Sequence, residues 1–211
     1  LYIRGRGLQQ ARRFVRDLDR FPLPDPSLLA TAGYDRGNLW IPVQTRRGCP
    51  LGCSYCSTGT VEGCLIRRRS PAAVMTWLRR WVQAGFHHFY FVDNTFNLPS
   101  SYAGELCTLI AAANLGITWR CIVYPGRVDE TLVRKMAAAG CREAALGFES
   151  GAPRVLEEMR KRFTLEEVRR TSRLLNAYGI TRTGFLLLGG PGETGETVRA
   201  SVEFADSLGL E

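Results

Sequence analysis

The sequence predicts an α/β fold in which parallel strands alternate with helices, and three observations lead there. From residue 41 onward, short apolar runs alternate with longer stretches whose apolar residues recur at helical spacing. The runs are separated by a helix's worth of chain, which is what a parallel crossover requires. Capping residues and glycines punctuate the helices at both ends. An open doubly wound sheet and a barrel or partial barrel both satisfy this pattern, and both gather ligands at the carboxyl ends of their strands.

Taken in order, the first strand is expected over residues 41–45 and runs into a cysteine-bearing loop. Ser70 followed by Pro71 reads as an N-cap with proline at the first helical position. Val74, Trp77, Leu78, Trp81 and Val82 then repeat at helical spacing until Gly85 stops the helix, with Trp77 and Trp81 expected in the core. Residues 89–92 are the next strand. Ser100 or Ser101 opens a helix with Leu106, Leu109, Ile110 and Ala113 on one face, ending near Gly116, and residues 119–124 are the third strand. Asp129 caps a helix carrying Leu132, Val133 and Met136, closed by Gly140; residues 144–148 are the fourth strand. Thr164 and Glu167 form a capping box for a helix that ends at Gly179. Residues 184–188 are a fifth strand, short and apolar as in a sheet covered by helices. A last helix from about Thr194 carries Val198, Val202, Ala205 and Leu208.

Residues 1–40 behave differently. Residues 12–20 are charged and expected as a short helix, and Gly5-Arg6-Gly7 as a turn. Pro22, Pro24 and Pro26 impose an extended linker on residues 21–26. The domain reading is an arm over 1–40, belonging to a preceding domain, and a core over 41–211.

With 211 residues and 45% hydrophobic content, the chain can bury one large core. It begins with Leu1 and no secretory pattern follows, so it is expected to be cut from a longer protein. No apolar run approaches the roughly 18–20 residues of a membrane span. Seven cysteines, three of them in one loop, argue for a reducing cytoplasm over a secreted disulfide framework. The formal net charge is +8, nearly all from arginine, since lysine occurs only at Lys135 and Lys161. Arg67-Arg68-Arg69 is a local cluster, but the other arginines are dispersed without interleaved aromatics, so nucleic-acid binding is not the expected function.

The chemistry concentrates in Arg47-Gly48-Cys49-Pro50-Leu51-Gly52-Cys53-Ser54-Tyr55-Cys56, where a C-x₃-C-x₂-C spacing puts three thiols on one loop. Three protein ligands leave a metal centre one open position, and open positions are where chemistry happens. Asp93-Asn94, Glu149-Ser150 and Gly189-Gly190 follow three other strands, so four loops meet at one mouth. A structural zinc site would recruit Cys64 as fourth ligand, but the x₇ gap before it is unusual and the convergence would go unexplained. A ferredoxin-like carrier needs four cysteines per cluster. Cys107, in a helix, and Cys121, in a strand, read as small buried hydrophobes, and Cys141 is equally remote from the loop. His87-His88 has no ligand partner at suitable spacing and reads as an exposed loop pair. The glycine turn lacks the Gly-Lys-Ser/Thr ending of a phosphate loop. Taken alone, Asp93 reads as a strand-end cap as readily as a ligand contact, and Glu149 as an ordinary salt-bridge partner.

With Tyr55 before its last cysteine, this loop resembles the cluster-binding motif of the radical S-adenosylmethionine (radical SAM) superfamily. From about residue 41 to the end, Phe91-Val92-Asp93-Asn94-Thr95-Phe96, Arg127-Val128-Asp129, Gly147-Phe148-Glu149-Ser150-Gly151 and Gly189-Gly190-Pro191-Gly192-Glu193-Thr194 resemble its other landmarks. The set is most similar to the branch often joined to a cobalamin-binding domain. The resemblance implies a partial (β/α) TIM-like barrel of about five to six strand–helix units, with the sixth lying past Glu211. It implies that Cys49, Cys53 and Cys56 ligate three irons of a [4Fe–4S] cluster while S-adenosyl-L-methionine chelates the fourth. One electron then breaks a carbon–sulfur bond to give a 5′-deoxyadenosyl radical. By the same resemblance Tyr55 lies against the adenine, Asp93 and Asn94 meet the methionyl amino group, and Glu149 and Ser150 bond the ribose. Gly189 and Gly190 let backbone approach the cofactor, and Arg127 or Lys161 pairs with the methionyl carboxylate. A reductase or flavodoxin-type electron donor and a small-molecule substrate are the implied partners. Cobalamin would enter only through a domain outside this chain, since no Asp-x-His-x-x-Gly pattern is present, and would bring methylation or ring rearrangement. RNA methylthiolation is the competing enzymatic reading. A zinc- or iron–sulfur-bearing interaction module touching RNA through residues 67–69 is the non-enzymatic one.

Overall fold

The computed structural model describes residues 2–3, 7–8, 14–29, 33, 35 and 37–211. Five strands form one sheet: β1 (Trp40–Val43), β2 (His88–Phe91), β3 (Thr118–Val123), β4 (Cys141–Glu149) and β5 (Thr181–Leu186). All neighbours are parallel, and their spatial order is their chain order. A doubly wound sheet reverses its strand order at a switch point. This one does not, so of the two architectures the sequence allows, the partial barrel is the one formed.

The helices are α1 (Thr58–Glu62), α2 (Pro71–Gln83), α3 (Ser100–Ala113), α4 (Glu130–Ala138), α5 (Pro153–Glu158), α6 (Leu165–Ala177) and α7 (Gly195–Ser207). Along the sheet α2 packs on α3, α3 on α4 and α4 on α6. Their side of the sheet is the core: Ile41, Val43, Phe89, Phe91, Trp119, Cys121 and Val123 are all buried. Tyr90, Arg120 and Ile122 alternate with these residues and look the other way, onto the half-open concave face. The expected caps form. Ser70 accepts from Ala73 N, Asp129 from Leu132 N, and Thr164 and Glu167 close a capping box. The short helices α1 and α5 carry too few residues to show a periodicity, which is why the sequence does not announce them.

Three expectations change. The fifth strand begins three residues earlier than expected and is an edge, with a partner strand on one side only among the described residues; α6 packs on one of its faces, while Phe185 is exposed on the open cleft side. His88 is not in a loop. It is the first residue of β2, half-buried, with its ring against Trp40 and its Nδ1 2.5 Å from Thr118 Oγ1. The arm has no α-helix in its described part: it has a two-residue antiparallel strand pair, Tyr2–Ile3 with Gly7–Leu8, and 3₁₀ turns at Leu18–Arg20 and Pro26–Leu29, the second beginning at the last residue of the expected extended linker. Arg12 and the Gly5-Arg6 turn lie outside the described residues. The arm drapes over α2 and the strand before it. Trp77 and Trp81 both donate from Nε1 to Pro24 O, and Arg69 Nη1 donates to Leu18 O and Phe21 O.

Cys107, Cys121 and Cys141 are buried as small apolar residues, their thiols pushed up by burial in the first two. Among the described residues no helix is long and apolar enough to cross a membrane. Trp119 is fully buried at the sheet's centre, edge-on to Phe91, and donates from Nε1 to Ala139 O at 2.7 Å. We expect Trp119→Ala to lower unfolding free energy by about 3–5 kcal/mol, read from denaturant midpoints at unchanged slope.

Candidate cluster loop and cofactor cleft

The loop leaves β1 through Thr45 and Arg46, and Asp93, just past β2, dictates its direction. Asp93 Oδ1 accepts from the backbone N–H groups of Thr45 (2.7 Å) and Arg46 (2.8 Å), while Oδ2 accepts from Thr45 Oγ1 (2.5 Å) and Arg46 Nη2 (2.8 Å). Carboxylate and guanidinium are both almost wholly buried, which is tolerable only because each satisfies the other. Arg46 also donates to Leu98 O and lies over the rings of Phe96 and Tyr102. Asp93 is therefore fully engaged inside the protein. The expected contact with a methionyl amino group is not available to it.

Beyond Arg46 the chain pairs antiparallel with Arg67–Arg68 and turns at Gly48, whose φ is +92°. A Cβ there would sit 2.2 Å from Leu65 O, so only glycine fits. Glu62, on α1, brackets this turn: its carboxylate accepts from Gly48 N (3.0 Å), Asn94 Nδ2 (2.9 Å) and Gln44 Nε2 (3.1 Å). Burial pulls the Glu62 carboxyl upward, but those three hydrogen bonds and the Arg47 charge outweigh it and hold it below the ordinary glutamate range. At its far end the loop docks on the end of α5, with Ser54 N donating to Met159 O and Ser54 Oγ to Glu158 O.

Cys49, Cys53 and Cys56, all free thiols, line one cleft of about 200 Å³ at the carboxyl edge of the sheet. Tyr55, Asn94, Glu149, Lys161 and Phe185 line it too. Tyr55 OH donates to Glu149 Oε1 at 2.9 Å and Lys161 Nζ to the same oxygen at 3.2 Å, with the ammonium 5.2 Å from the Tyr55 ring centre. Glu149 reaches this position from a left-handed backbone, φ +67°. Burial, and next the Glu149 charge, push the Tyr55 phenol far up, so it stays a neutral donor. Burial also pushes the Cys49 and Cys53 thiols up, and neighbouring thiols add to this against a downward pull from Lys161.

Of the residues singled out from sequence, Tyr55, Asn94, Glu149 and the three cysteines meet. Ser150 does not: it is buried, 3.0 Å from Ser201 Oγ, and accepts from Ala152 N. Arg127 is exposed and off the cleft, leaving Lys161 as the cation there. The glycine turn touches the site only indirectly. Gly189 N donates to Glu193, and a Cβ on Gly190 would meet Met159 Cε at 2.7 Å. Cys64 is exposed and lines a separate hollow with Phe14 and Leu65, apart from the cleft lined by the other three cysteines. Arg67 and Arg69 are occupied by backbone carbonyls of the arm and of Glu62, which removes most of the basic cluster offered for RNA. A larger hollow of about 470 Å³ lies beneath the arm, between Leu18, Phe21, Val61 and Arg47, and contains no thiol. Glu62, Thr58 and Arg46 were not singled out from sequence, because nothing local marks them.

Residues 43–205 match the family model of the radical SAM superfamily. The chain belongs to the radical SAM superfamily. It is 28% identical over 202 residues to the uncharacterized methyltransferase PH0819 of Pyrococcus horikoshii, covering 95% of this chain and 44% of that protein. It is 30% identical over 190 residues to cytidylyl-2-hydroxyethylphosphonate methyltransferase of Streptomyces wedmorensis, covering 85% of this chain and 34% of the relative. Among solved structures, the radical SAM methyltransferase TsrM from Kitasatospora setae superposes with a TM-score of 0.79 at 28% identity, over 83% of this chain and 35% of that one. This chain thus spans less than half the length of each.

Radical SAM enzymes hold a [4Fe–4S] cluster and S-adenosylmethionine. The residues here fit that group. Three thiols on one loop face one cleft beside a buried cation, and the family's open iron position needs no fourth protein ligand. Among the described residues no three His, Cys, Asp or Glu side chains are set to grip a single ion. A lone zinc would draw its sulfurs to within about 2.3 Å of one point, whereas a cubane spreads them over separate irons.

Two outcomes are expected of the scaffold. Asp93→Ala strands the buried Arg46 charge and should destabilise the domain by about 3–5 kcal/mol, measured by urea unfolding. Because the folded Glu62 carboxyl sits below its unfolded value, its contribution is present above the ordinary glutamate range and is lost as pH falls through the depressed folded value. Glu62→Gln should therefore flatten the acid limb of a stability-versus-pH profile and leave its alkaline limb unchanged.

Proposed function

We propose that this chain binds a [4Fe–4S] cluster through Cys49, Cys53 and Cys56, takes S-adenosylmethionine into the adjoining cleft, and initiates radical chemistry there. The single observation that carries this reading is the gathering of three free thiols with Tyr55, Asn94, Glu149 and Lys161 around one cleft at the carboxyl edge of the sheet. Bound there, the cluster would supply one electron, and an open iron site, for cleaving a carbon–sulfur bond of the cofactor. The chain's own residues bind and orient. Lys161 offers the cleft a nearly buried ammonium suited to a carboxylate, and Glu149 offers acceptors suited to an amine or to ribose hydroxyls. Their mutual bond, shared with Tyr55, keeps both aimed into the cleft before a ligand arrives. Asn94 presents an amide held in place by Glu62. Asp93, Ser150, Gly189 and Gly190 support the site from behind.

Within a longer protein, we assign the chain to cobalamin-linked methylation of a small molecule. Support comes from the methyltransferase names of both curated relatives and from TsrM, which has been solved with cobalamin and a [4Fe–4S] cluster bound. A reductase or flavodoxin-type protein would deliver the electron, and the free thiols at the site support a reducing, cytoplasmic setting. RNA methylthiolation is less well supported, because Arg67 and Arg69 hold the arm.

Anaerobic reconstitution of the intact protein with iron and sulfide is expected to give a brown protein with about four irons and four sulfides per chain. Dithionite with S-adenosylmethionine should then release 5′-deoxyadenosine. We expect Cys53→Ala to abolish both cluster and product while the fold, followed by circular dichroism, persists. One tightly bound zinc and no colour would defeat the reading.

A further inference from the structure

The hydrogen bonds around Cys56 contain a feature that the ligand role of the cysteines does not require. Cys56 Sγ lies 3.2 Å from Thr58 Oγ1, on the first residue of α1. The same hydroxyl is 3.5 Å from Asn94 Oδ1, and Asn94 Nδ2 is held by Glu62 Oε2 at 2.9 Å. Glu62 Oε2 in turn accepts from Gly48 N, and Cys49 N donates to Gly63 O. A continuous chain of hydrogen bonds therefore runs from the last cysteine of the loop back to the residue before the first. Among the described residues, a side-chain hydroxyl bonds the sulfur of Cys56 and of neither Cys49 nor Cys53.

We propose that Thr58 is a positioning residue that acts through the Cys56 sulfur to raise the reduction potential of the cluster. The proposal rests on the cluster reading above. In the thiol form the Cys56 S–H donates to Thr58, whose own proton points to Asn94. A metal-bound thiolate has no proton to give, so the polarity of the contact must reverse. The hydroxyl can do this by turning about its C–O bond, without moving a heavy atom, and the bond it gives up is the longer of its two. An O–H···S bond draws charge from the ligand sulfur. It stabilises the form with the extra electron more than the oxidised form, because charge-assisted hydrogen bonds strengthen with the charge they meet. Before the cluster is bound, Asn94, itself held by Glu62, keeps the Thr58 hydroxyl beside the Cys56 sulfur, as outer partners commonly do for metal ligands.

The test is an anaerobic redox titration of the intact, reconstituted protein with dithionite and mediators, following the electron paramagnetic resonance of the one-electron-reduced cluster. Thr58→Val keeps the shape and removes the hydroxyl, Thr58→Ala removes it without a branched replacement, and Thr58→Ser retains it. We expect Val and Ala variants with a full complement of iron whose reduction is about tenfold less favourable, a shift of about 59 mV downward for one electron. Thr58→Ser should titrate with the wild type. Pulsed resonance after exchange into D₂O should show an exchangeable proton near the wild-type cluster that both hydroxyl-free variants lack. Wild-type potential in Val and Ala variants that carry full clusters would overturn the Thr58 role and leave the functional reading standing. A wild-type protein that takes up no cluster would overturn both.

Discussion

The burial of one carboxylate governs how this domain presents its chemistry. Asp93 follows β2, yet all its hydrogen bonds go to Thr45 and Arg46 at the end of β1. An unpaired charge in that position would be prohibitive, so the two strand ends must be brought together in one geometry. The chain beyond Arg46 then leaves the sheet in a fixed direction, and the cysteine loop inherits it. Arg46 extends the anchor to Leu98, Phe96 and Tyr102, tying the loop to the start of α3 as well.

A second clamp works from the opposite side of the cleft. The loop is bonded through Ser54 to the end of α5, and Lys161, just beyond, lies beside Tyr55 and Glu149. Glu149 and Arg160 both have left-handed backbones, at φ +67° and +56°, a conformation that costs a non-glycine residue about 1–2 kcal/mol. At Glu149 this backbone ends the strand with the side chain in the cleft, on the same face as Gly147. Between the two clamps the loop is held at both ends while its thiols remain free. A site that must admit a cluster and keep one iron corner open needs this combination of a rigid frame and uncommitted ligands.

Much of this was legible in the chain because it is encoded locally. Ser70, Asp129 and Thr164 cap helices through neighbours three residues away, so their roles read directly from sequence, and the helices follow. The three cysteines are legible for the same reason. The alternation of strand and helix also places the loops at one edge, and Tyr55, Asn94 and Glu149 accordingly line the same cleft as the cysteines. Ser150 failed because it is adjacent to Glu149 yet points to the opposite side, where Ser201 from α7 meets it. His88 failed because its partner, Thr118, belongs to the neighbouring strand.

What the sequence by itself determined was the class of the fold, the capped starts of its longer helices and the loop that carries the three cysteines, since each depends on contacts within a few residues. The tertiary structure alone decided that Lys161 and not Arg127 faces the cleft and that Asp93 is an anchor. Those outcomes depend on pairings between residues tens of positions apart. A charged side chain has no preferred destination until folding brings up the partner that can replace its water.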